Sequence, residues 1–234
     1  MTGRVLRLRF ADLRRGRRVV LAADELALPC GAAVALVGAN GAGKSTLLMA
    51  VARVLAPGAG RAVALRDDGA AVTRIGYVPQ RPAFPPWLTL AQALALHGAP
   101  PGVADVLGAP AAGRTRLLAT PIGALSTGQT QAVAVAVALH ASDSLVLLDE
   151  PFAGVDLARR EALRTLVAER RARQPAAVLI LSSHVAADLD VLCDWVVALR
   201  DGRCVYQGPR SALPAAPGRP RGGELEARLA ALTG

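Results

Sequence analysis

The feature that most constrains this chain is a glycine-rich stretch between an apolar segment and an amphipathic one. Val34 to Val37 predicts a buried strand, and Ser45 to Leu55 carries the apolar spacing of a helix. Between them, Gly38 to Ser45 has the spacing G-x-x-x-x-G-K-S. Glycines let such a loop curl until successive backbone N–H groups, and the positive end of the helix, point at one anion. The stretch therefore predicts a strand, a phosphate-binding loop and a helix.

Within this loop, the residue types indicate which side chains contact a nucleotide. We expect Lys44 to reach the terminal phosphates and Ser45 to offer its hydroxyl to Mg²⁺. The other loop positions expected at the nucleotide are Gly38, Asn40, Gly41, Ala42, Gly43 and Thr46. Lys44 is the only lysine of the chain, because 26 of the 27 basic residues are arginine. A compact ammonium suits a narrow loop better than a planar guanidinium, which favours a functional reason for this lysine.

A second segment offers acidic groups that could act beside the predicted phosphate loop. Leu145 to Leu148 is a short apolar run typical of a central strand, and Asp149 and Glu150 follow it directly. We expect Asp149 to emerge beside the phosphate loop, where it can hold Mg²⁺. Glu150 can then act on the attacking water, a role worth roughly 10²- to 10⁴-fold in rate.

Charge and hydropathy limit the class of protein. The net charge is +9, and the first eighteen residues contain seven arginines against one acid, Asp12. This excess is compatible with nucleic acid, an anionic membrane surface or bound ATP, and equally with a solvated arginine-rich face. The longest apolar runs, such as Ala132 to Leu139, are far shorter than the roughly 20 residues of a membrane-spanning helix. With no apolar signal core near the start, we expect a cytoplasmic protein, in which the three cysteines are reduced.

The remaining pattern predicts the order of the elements. Leu6, Leu8 and Phe10 alternate with arginines as in a half-buried strand, and Val19 to Leu28 continues as a second extended piece. Residues 81–140 form short helical stretches broken by Gly and Pro, including Val103 to Leu107, and predict an inserted helical subdomain. Strands and helices then alternate, as in an α/β protein.

Six short motifs occur in an order that resembles the nucleotide-binding subunit of an ABC transporter, over about residues 4 to 208. They are the Walker A loop at Gly38 to Ser45, the Q-loop Gln80, the signature LSTGQ at Leu125 to Gln129, the Walker B segment LVLLDE at Leu145 to Glu150, the D-loop Ala153 to Asp156, and the switch His184. The resemblance implies a P-loop NTPase core with a mixed, mainly parallel sheet, an antiparallel β subdomain and an inserted α-helical subdomain. It further implies an ATPase domain at 1–213, with a Pro/Gly linker and a short C-terminal helix at 214–234.

The resemblance also implies how such a subunit works. Two subunits, identical or sister chains, face each other, and each ATP lies between one Walker loop and the other subunit's signature. Ser126, Gly128, Gln129 and the helix beginning near Gln131 would contact the partner's ATP, and Asp156 of the D-loop would be a further nucleotide-binding residue. Gln80 would contact Mg²⁺, and His184 would assist hydrolysis by Glu150. The pair would drive a separate transmembrane permease from the inner face of the membrane, and the segment from Ser182 to Gly208 most resembles exporter-type ATPases.

Two positions depart from the family pattern. Thr127 stands where the signature usually has glycine, while Gly128 keeps a close backbone approach possible. The aromatic residue that usually stacks on adenine is missing, and Arg15 stands about where it would be. Loss of a base stack costs about 1 to 3 kcal/mol, and an arginine plane over adenine can recover part of that.

Two other functions are compatible with these residues. One is a soluble ABC ATPase acting on nucleic acid or ribosomes, which the arginine excess favours. Such relatives generally carry two cassettes or a long coiled coil, so nucleic acid is not the expected partner. The other is a degenerate cassette that binds ATP as a switch, and the intact Lys44, Asp149, Glu150 and His184 argue against it.

Overall fold

From residue 145 onward, strands and helices alternate, an order typical of a parallel sheet covered by helices. The computed structural model describes residues 4–56, 58–108, 110–142, 144–214 and 225–233. In chain order its strands are β1 (Val5–Phe10), β2 (Leu13–Arg15), β3 (Arg18–Leu21), β4 (Asp24–Pro29), β5 (Ala33–Gly38), β6 (Ala62–Leu65), β7 (Ile75–Val78), β8 (Leu145–Asp149), β9 (Val178–Ser182), β10 (Trp195–Arg200) and β11 (Arg203–Pro209). Its helices are α1 (Lys44–Val51), α2 (Leu90–Leu96), α3 (Arg114–Leu118), α4 (Thr127–Ala141), α5 (Leu157–Arg173), α6 (Ala186–Leu192) and α7 (Leu225–Thr233), with 3-10 helices at Pro101–Leu107, Ala111–Gly113, Ile122–Ala124 and Arg210–Ala212.

Six strands form the central sheet, in the order β11-β10-β5-β9-β8-β7. All neighbours run parallel except the β10/β11 hairpin. β8 and β9 are buried at every position, because helices or a second sheet cover both faces. Parallel strands end at one edge of the sheet, so the residues that follow β5, β7, β8 and β9 meet at that edge.

β5 shows how one strand serves two apolar cores. Ala33, Ala35 and Val37 belong to the core that contains α4, α5 and α6. Val34 and Leu36 belong to the core that contains α1 and the N-terminal strands. Since successive side chains of a strand point to opposite faces, the uninterrupted apolar run of β5 fills both cores. This double burial makes the strand before the glycine loop a rigid support.

An antiparallel sheet of β4, β1 and β6 covers one side of the molecule. The predicted alternation of Leu6, Leu8 and Phe10 is confirmed, because these three side chains are buried. The prediction of one extended piece from Val19 to Leu28 is wrong, since β3 pairs with β2 and β4 pairs with β1. The chain leaves one sheet for the other at Ala22 and Ala23. Their N–H groups donate to the Gly202 carbonyl at 2.8 Å and to Asp12 Oδ1 at 3.0 Å.

The helical region differs from the prediction in two places. The segment at Val103 to Leu107 is part of a 3-10 helix, Pro101–Leu107. α4 begins at Thr127, one turn before the predicted start near Gln131. A capping box explains the earlier start, because Ser126 Oγ accepts from the Gln129 N–H at 3.2 Å and Gln129 Oε1 accepts from the Ser126 N–H at 2.8 Å. α4 is apolar all round, and it is buried between the sheet and α5.

The C-terminal helix α7 packs against β5 and β10 through the buried Leu229. The described residues leave out 215–224. This range contains most of the predicted linker and the first residue of the predicted C-terminal helix. The division of the chain at residue 213 therefore stays a prediction. Across the described ranges, no helix combines the length and the hydropathy that crossing a membrane requires.

Candidate functional site

The glycine loop closes one side of a cavity of about 1000 Å³ at the carboxyl edge of the central sheet. β5 ends at Gly38, and α1 begins at Lys44 after Gly43, whose φ of +104° lies in the region that favours glycine. Twelve of the residues expected at the nucleotide line this cavity. They are Arg15, Asn40, Gly41, Ala42, Gly43, Lys44, Ser45, Thr46, Gln80, Asp149, Glu150 and His184.

Lys44 lies folded back onto the loop that precedes it. Its Nζ donates to the Gly38 carbonyl at 2.6 Å and to the Ala39 carbonyl at 3.2 Å, and the residue is 8% exposed. Burial lowers the pKa of Lys44, while the carboxylates of Glu150 and Asp149 act in the opposite direction. An ammonium has three N–H donors, and within the described chain two of them have acceptors. The third is available to an anion in the cavity.

Asp149 is the last residue of β8 and is only 3% exposed. Ser182, its register partner at the end of β9, donates from Oγ to Asp149 Oδ1 at 2.7 Å. Burial and the charge of Asp149 raise the pKa of Tyr77 on β7 to about 12. The carboxylate is thus held at the sheet edge by a neighbouring strand.

Glu150 adopts a left-handed backbone conformation, with φ of +51°. Such a conformation costs a non-glycine residue of order 1–3 kcal/mol and requires support from its surroundings. That support comes from Ser182 Oγ, which accepts from the Glu150 N–H at 3.0 Å, and from Gln131 Nε2, which donates to the Glu150 carbonyl at 3.4 Å. One serine hydroxyl therefore positions both Asp149 and Glu150.

The carboxylate of Glu150 lies against His184. The His184 N–H donates to Oε2 at 3.4 Å, and Nε2 lies 3.1 Å from Oε1. Oε1 is buried and has no hydrogen-bond partner among the described residues. Glu150 also lines the cavity, so its carboxylate is placed beside any group bound there.

The donor set fits a magnesium ion only together with a phosphate ligand. Ser45, Gln80 and Asp149 line one cavity and offer the hard oxygen donors that Mg²⁺ prefers. Among the described residues, no three His, Cys, Asp or Glu side chains lie close enough to hold a metal by themselves. Mg²⁺ usually binds through one or two carboxylates plus substrate phosphates, and this arrangement suits that mode.

The opposite end of the cavity is formed by the β2/β3 hairpin and the β10/β11 turn. Arg15, Arg18 and Val19 line it from the hairpin, and Arg200 to Gly202 line it from the turn. A Cβ on Gly202 would lie 2.6 Å from the Val20 carbonyl oxygen, so the two segments are in close backbone contact. Sequence reasoning found Arg15 but missed the turn, since only the fold brings it to the hairpin.

Five expected residues lie outside the lining of this cavity. Gly38 lies behind the loop, where a Cβ would be 2.5 Å from the Leu199 carbonyl oxygen. Ser126 and Gln129 form the capping box of α4, and a Cβ on Gly128 would lie 2.3 Å from the Gly154 carbonyl oxygen. The N–H of Arg159 donates to Asp156 Oδ1 at 3.0 Å, so Asp156 caps α5. The signature and the D-loop thus contact each other, and both lie outside the cavity that contains Lys44.

Ser182 is a further site residue that sequence reasoning missed. The signal in the sequence is the pair of serines between the apolar run of β9 and His184. When one strand ends in a serine and its neighbour ends in an aspartate, the serine hydroxyl can reach the aspartate carboxylate. The register that selects Ser182 over Ser183 is visible only in the sheet.

Comparisons with known proteins agree with this geometry. Residues 21–153 match the family model described as "ABC transporter". The cytochrome c biogenesis ATP-binding export protein CcmA of Gluconobacter oxydans is 36% identical over 190 residues, covering 80% of this chain and 85% of that protein. The aliphatic sulfonates import ATP-binding protein SsuB of Burkholderia pseudomallei is 34% identical over 212 residues, covering 86% of this chain and 61% of that protein.

A solved structure, described as an ATP-binding subunit of an ABC transporter, has the same fold. Its TM-score is 0.76 at 28% identity, and the match covers 96% of this chain and 98% of the other. The family match spans the phosphate loop and the Asp149–Glu150 pair, the two segments that form the phosphate end of the cavity. The chain therefore belongs to the ABC transporter family, and it is an ATP-binding subunit with ATPase activity.

Proposed function

We propose that the chain dimerises around two ATP molecules and drives a separate transmembrane permease. The observation that carries this proposal is the convergence of Lys44, Asp149, Glu150 and His184 on one cavity, while the signature residues lie outside it. Ser126, at the start of α4, is exposed and does not line this chain's own nucleotide cavity. A helix N-terminus attracts anions, so this surface suits the phosphates of an ATP held by a second subunit.

For the chemical step, we propose that Glu150 is the general base. Its carboxylate, which lines the cavity, would accept the proton of the attacking water, and His184 would hold the carboxylate and the terminal phosphate in place. Lys44 would bind the terminal phosphates with its remaining N–H donor. Ser45, Asp149 and Gln80 would hold Mg²⁺, which when bound neutralises charge that develops on the transferred phosphoryl group.

The helical region between β7 and β8 is the proposed contact with the permease. Trp87 is 76% exposed and Leu96 is 69% exposed, although both are large apolar side chains. Aromatic side chains are enriched at protein interfaces, so the exposed Trp87 suits contact with a partner. Gln80 lies between the cavity and this region, so it is suited to report the state of the nucleotide to the permease. The chain would then act as a peripheral subunit on the cytoplasmic face of the cell membrane.

Export is the direction of transport that we propose. The support is the resemblance of residues 182–208 to exporter-type ATPases. The named relatives include one protein described as an exporter and one described as an importer, at 36% and 34% identity. Reconstitution of the chain with its permease in vesicles tests the direction, because ATP on the outside of the vesicles drives uptake only if the transporter exports.

Nucleic acid is not a favoured partner, because part of the N-terminal arginine excess is already paired. Arg7 and Arg9 both pair with Glu25 across β1 and β4, and Arg14 lies 3.6 Å from Asp12. Binding to nucleic acid through free cations would make hydrolysis depend strongly on salt and on added RNA or DNA. We expect ATP turnover to be unaffected by RNA or DNA at moderate salt.

The substitution Glu150→Gln tests the proposed function. It keeps the shape of the side chain and removes the base, so we expect bound ATP to persist and a stable dimer to form. The measurement is the elution volume and the nucleotide content of the purified chain after incubation with ATP and Mg²⁺. Wild-type chain under the same conditions is the control and should return to monomer as ATP is consumed. A monomeric Glu150→Gln chain with ATP bound would contradict the dimer.

A further inference from the structure

A buried carboxylate on α6 is held by two arginines of α5, and none of the three lines the nucleotide cavity. Asp188 is fully buried, and Arg164 Nη2 donates to its Oδ1 at 2.7 Å. Arg160 Nη1 lies 3.6 Å from Oδ2, which has no hydrogen-bond partner among the described residues. The two arginines are four residues apart, so they reach Asp188 from the same face of α5. A buried carboxylate requires such partners, and here their geometry is unequal.

Arg160 differs from Arg164 in what else it contacts. Arg160 Nη2 donates to the Phe152 carbonyl at 3.3 Å, and its guanidinium carbon lies 5.8 Å from the centre of the Phe152 ring. Phe152 is two residues after Glu150. The other side-chain partner of Arg164 is Glu161, one turn away on α5 itself. Arg160 therefore joins the segment after Glu150 to α6, whereas Arg164 joins α5 to α6 only.

The same α6 follows directly on His184. Asp188 lies in the first turn of this helix, and its N–H donates to the Val185 carbonyl at 3.1 Å. His184 in turn contacts Glu150 through its N–H and through Nε2. These segments form a closed path. The chain leads from Glu150 to Phe152, contacts of Arg160 join Phe152 to Asp188, the chain leads back from Asp188 to His184, and His184 contacts Glu150.

We propose that Arg160 is a positioning residue for ATP hydrolysis, which through Phe152 and Asp188 fixes His184 relative to Glu150. The inference rests on the proposed function, in which Glu150 is the base. Displacement of a catalytic group by about 1 Å can cost roughly 100-fold in rate even when the change is remote from the reacting atoms. Arg160 does not touch the nucleotide, so its removal should affect turnover and not binding.

The experiment compares Arg160→Met with Arg164→Met in the full-length chain. Methionine keeps an unbranched apolar side chain and removes the guanidinium in both. We measure kcat for ATP hydrolysis, the Kd for a nonhydrolysable ATP analogue with Mg²⁺, and Tm. For Arg160→Met we expect kcat to fall by about tenfold or more and Kd to change by less than about twofold. For Arg164→Met, which removes the shorter bond to Asp188, we expect at least as large a fall in Tm and a kcat within about threefold of wild type.

The outcomes separate a positioning role from a structural one. If kcat falls in proportion to Tm in both variants, the contact is structural and the inference is wrong. Arg160→Lys retains the positive charge and should recover part of the turnover that Arg160→Met loses. If Arg160→Met does not fold, Arg160→Lys alone decides. A fall in its kcat of about threefold or more at unchanged Tm supports the inference, and an unchanged kcat contradicts it. Wild-type chain without any ATP turnover would overturn the proposed function itself, whereas normal turnover in wild type and Arg160→Met overturns only the role of Arg160.

Discussion

The two ends of the nucleotide cavity are built in different ways. At the phosphate end, Lys44 and Asp149 are almost fully buried, and each is fixed by hydrogen bonds at the ends of central strands. At the base end, the β2/β3 hairpin has strands of three and four residues and carries the exposed residues Arg15 and Val19. The hairpin is attached through the buried side chains of Leu13 and Leu21 and through the close backbone approach of Gly202 to Val20.

This difference follows from what each end has to do. Phosphate chemistry requires charged groups at fixed distances, and a buried parallel sheet provides them. In the proposed binding mode the base needs only a surface of the right size, which a small hairpin with exposed arginine side chains can offer. Changes at the phosphate end should therefore affect turnover and affinity strongly, while changes at the base end should affect affinity only, and less.

The largest effect is expected for Lys44. Lys44→Ala removes a charged donor to the phosphates, a contact worth about 1.5–3 kcal/mol, so we expect the affinity for ATP to fall about 10- to 150-fold. Lys44→Arg should fare no better, since the planar guanidinium does not fit the two carbonyl contacts of the ammonium. Calorimetric titration with a nonhydrolysable ATP analogue measures both. An affinity of Lys44→Arg close to wild type would mean that the loop is wider than the structure indicates.

A smaller effect, on turnover, is expected for Ser182. Ser182→Ala removes the hydroxyl that donates to Asp149 and accepts from the Glu150 N–H, so kcat should fall about tenfold while Kd changes little. Steady-state hydrolysis at saturating ATP is the measurement. The matched control is Ser183→Ala, because the Ser183 hydroxyl accepts from the Val185 N–H and touches neither carboxylate. Equal losses in both variants would contradict the special role of Ser182.

At the base end, Gly202→Ala should weaken ATP binding severalfold and leave kcat at saturation close to wild type. Its Cβ would lie 2.6 Å from the Val20 carbonyl oxygen at a φ of +71°, so the hairpin has to shift, at a cost of about 1–3 kcal/mol. Gly16→Ala is the control, since Gly16 also has positive φ but no atom within 4 Å of the added Cβ. Titration and steady-state kinetics separate the two effects, and a loss of kcat equal to the loss of affinity would contradict the independence of the two ends.

The smallest effect is expected for Arg15. Arg15→Tyr restores an aromatic surface at the base end and should tighten ATP binding by up to about fivefold, because stacking is worth about 1 to 3 kcal/mol and arginine already supplies part of it. Arg17→Tyr, on the same hairpin but outside the cavity lining, should leave the affinity unchanged. The measurement is the Kd of ATP for both variants. Unchanged affinity in Arg15→Tyr would count against Arg15 as the base contact.

What the sequence predicts well is local along the chain. The strand, glycine loop and helix around Lys44 are continuous, so their spacing predicts their order, although α1 ends at Val51 and does not reach the predicted Leu55. Asp149 and Glu150 follow an apolar strand, and their place at the sheet edge follows from its direction. The alternation of strands and helices from β8 to β10 follows from apolar spacing along the chain in the same way.

What the sequence does not predict depends on pairing between distant segments. The contact of Ser182 with Asp149 requires the register of two strands that α5 separates. The break between β3 and β4 depends on hydrogen bonds from Ala22 to Gly202, which lie far apart in sequence. The early start of α4 comes from side chains that cap the helix, and hydrophobic spacing alone does not reveal it.

The most direct test of the account is a crystal structure of the chain with a nonhydrolysable ATP analogue and Mg²⁺. We expect the terminal phosphates to lie against Lys44 Nζ and the backbone of the loop before α1, with the purine at the Arg15 end of the cavity. We also expect the carboxylate of Glu150 to lie beside the terminal phosphate. An analogue bound elsewhere, or a cavity that stays empty at saturating analogue, would contradict it.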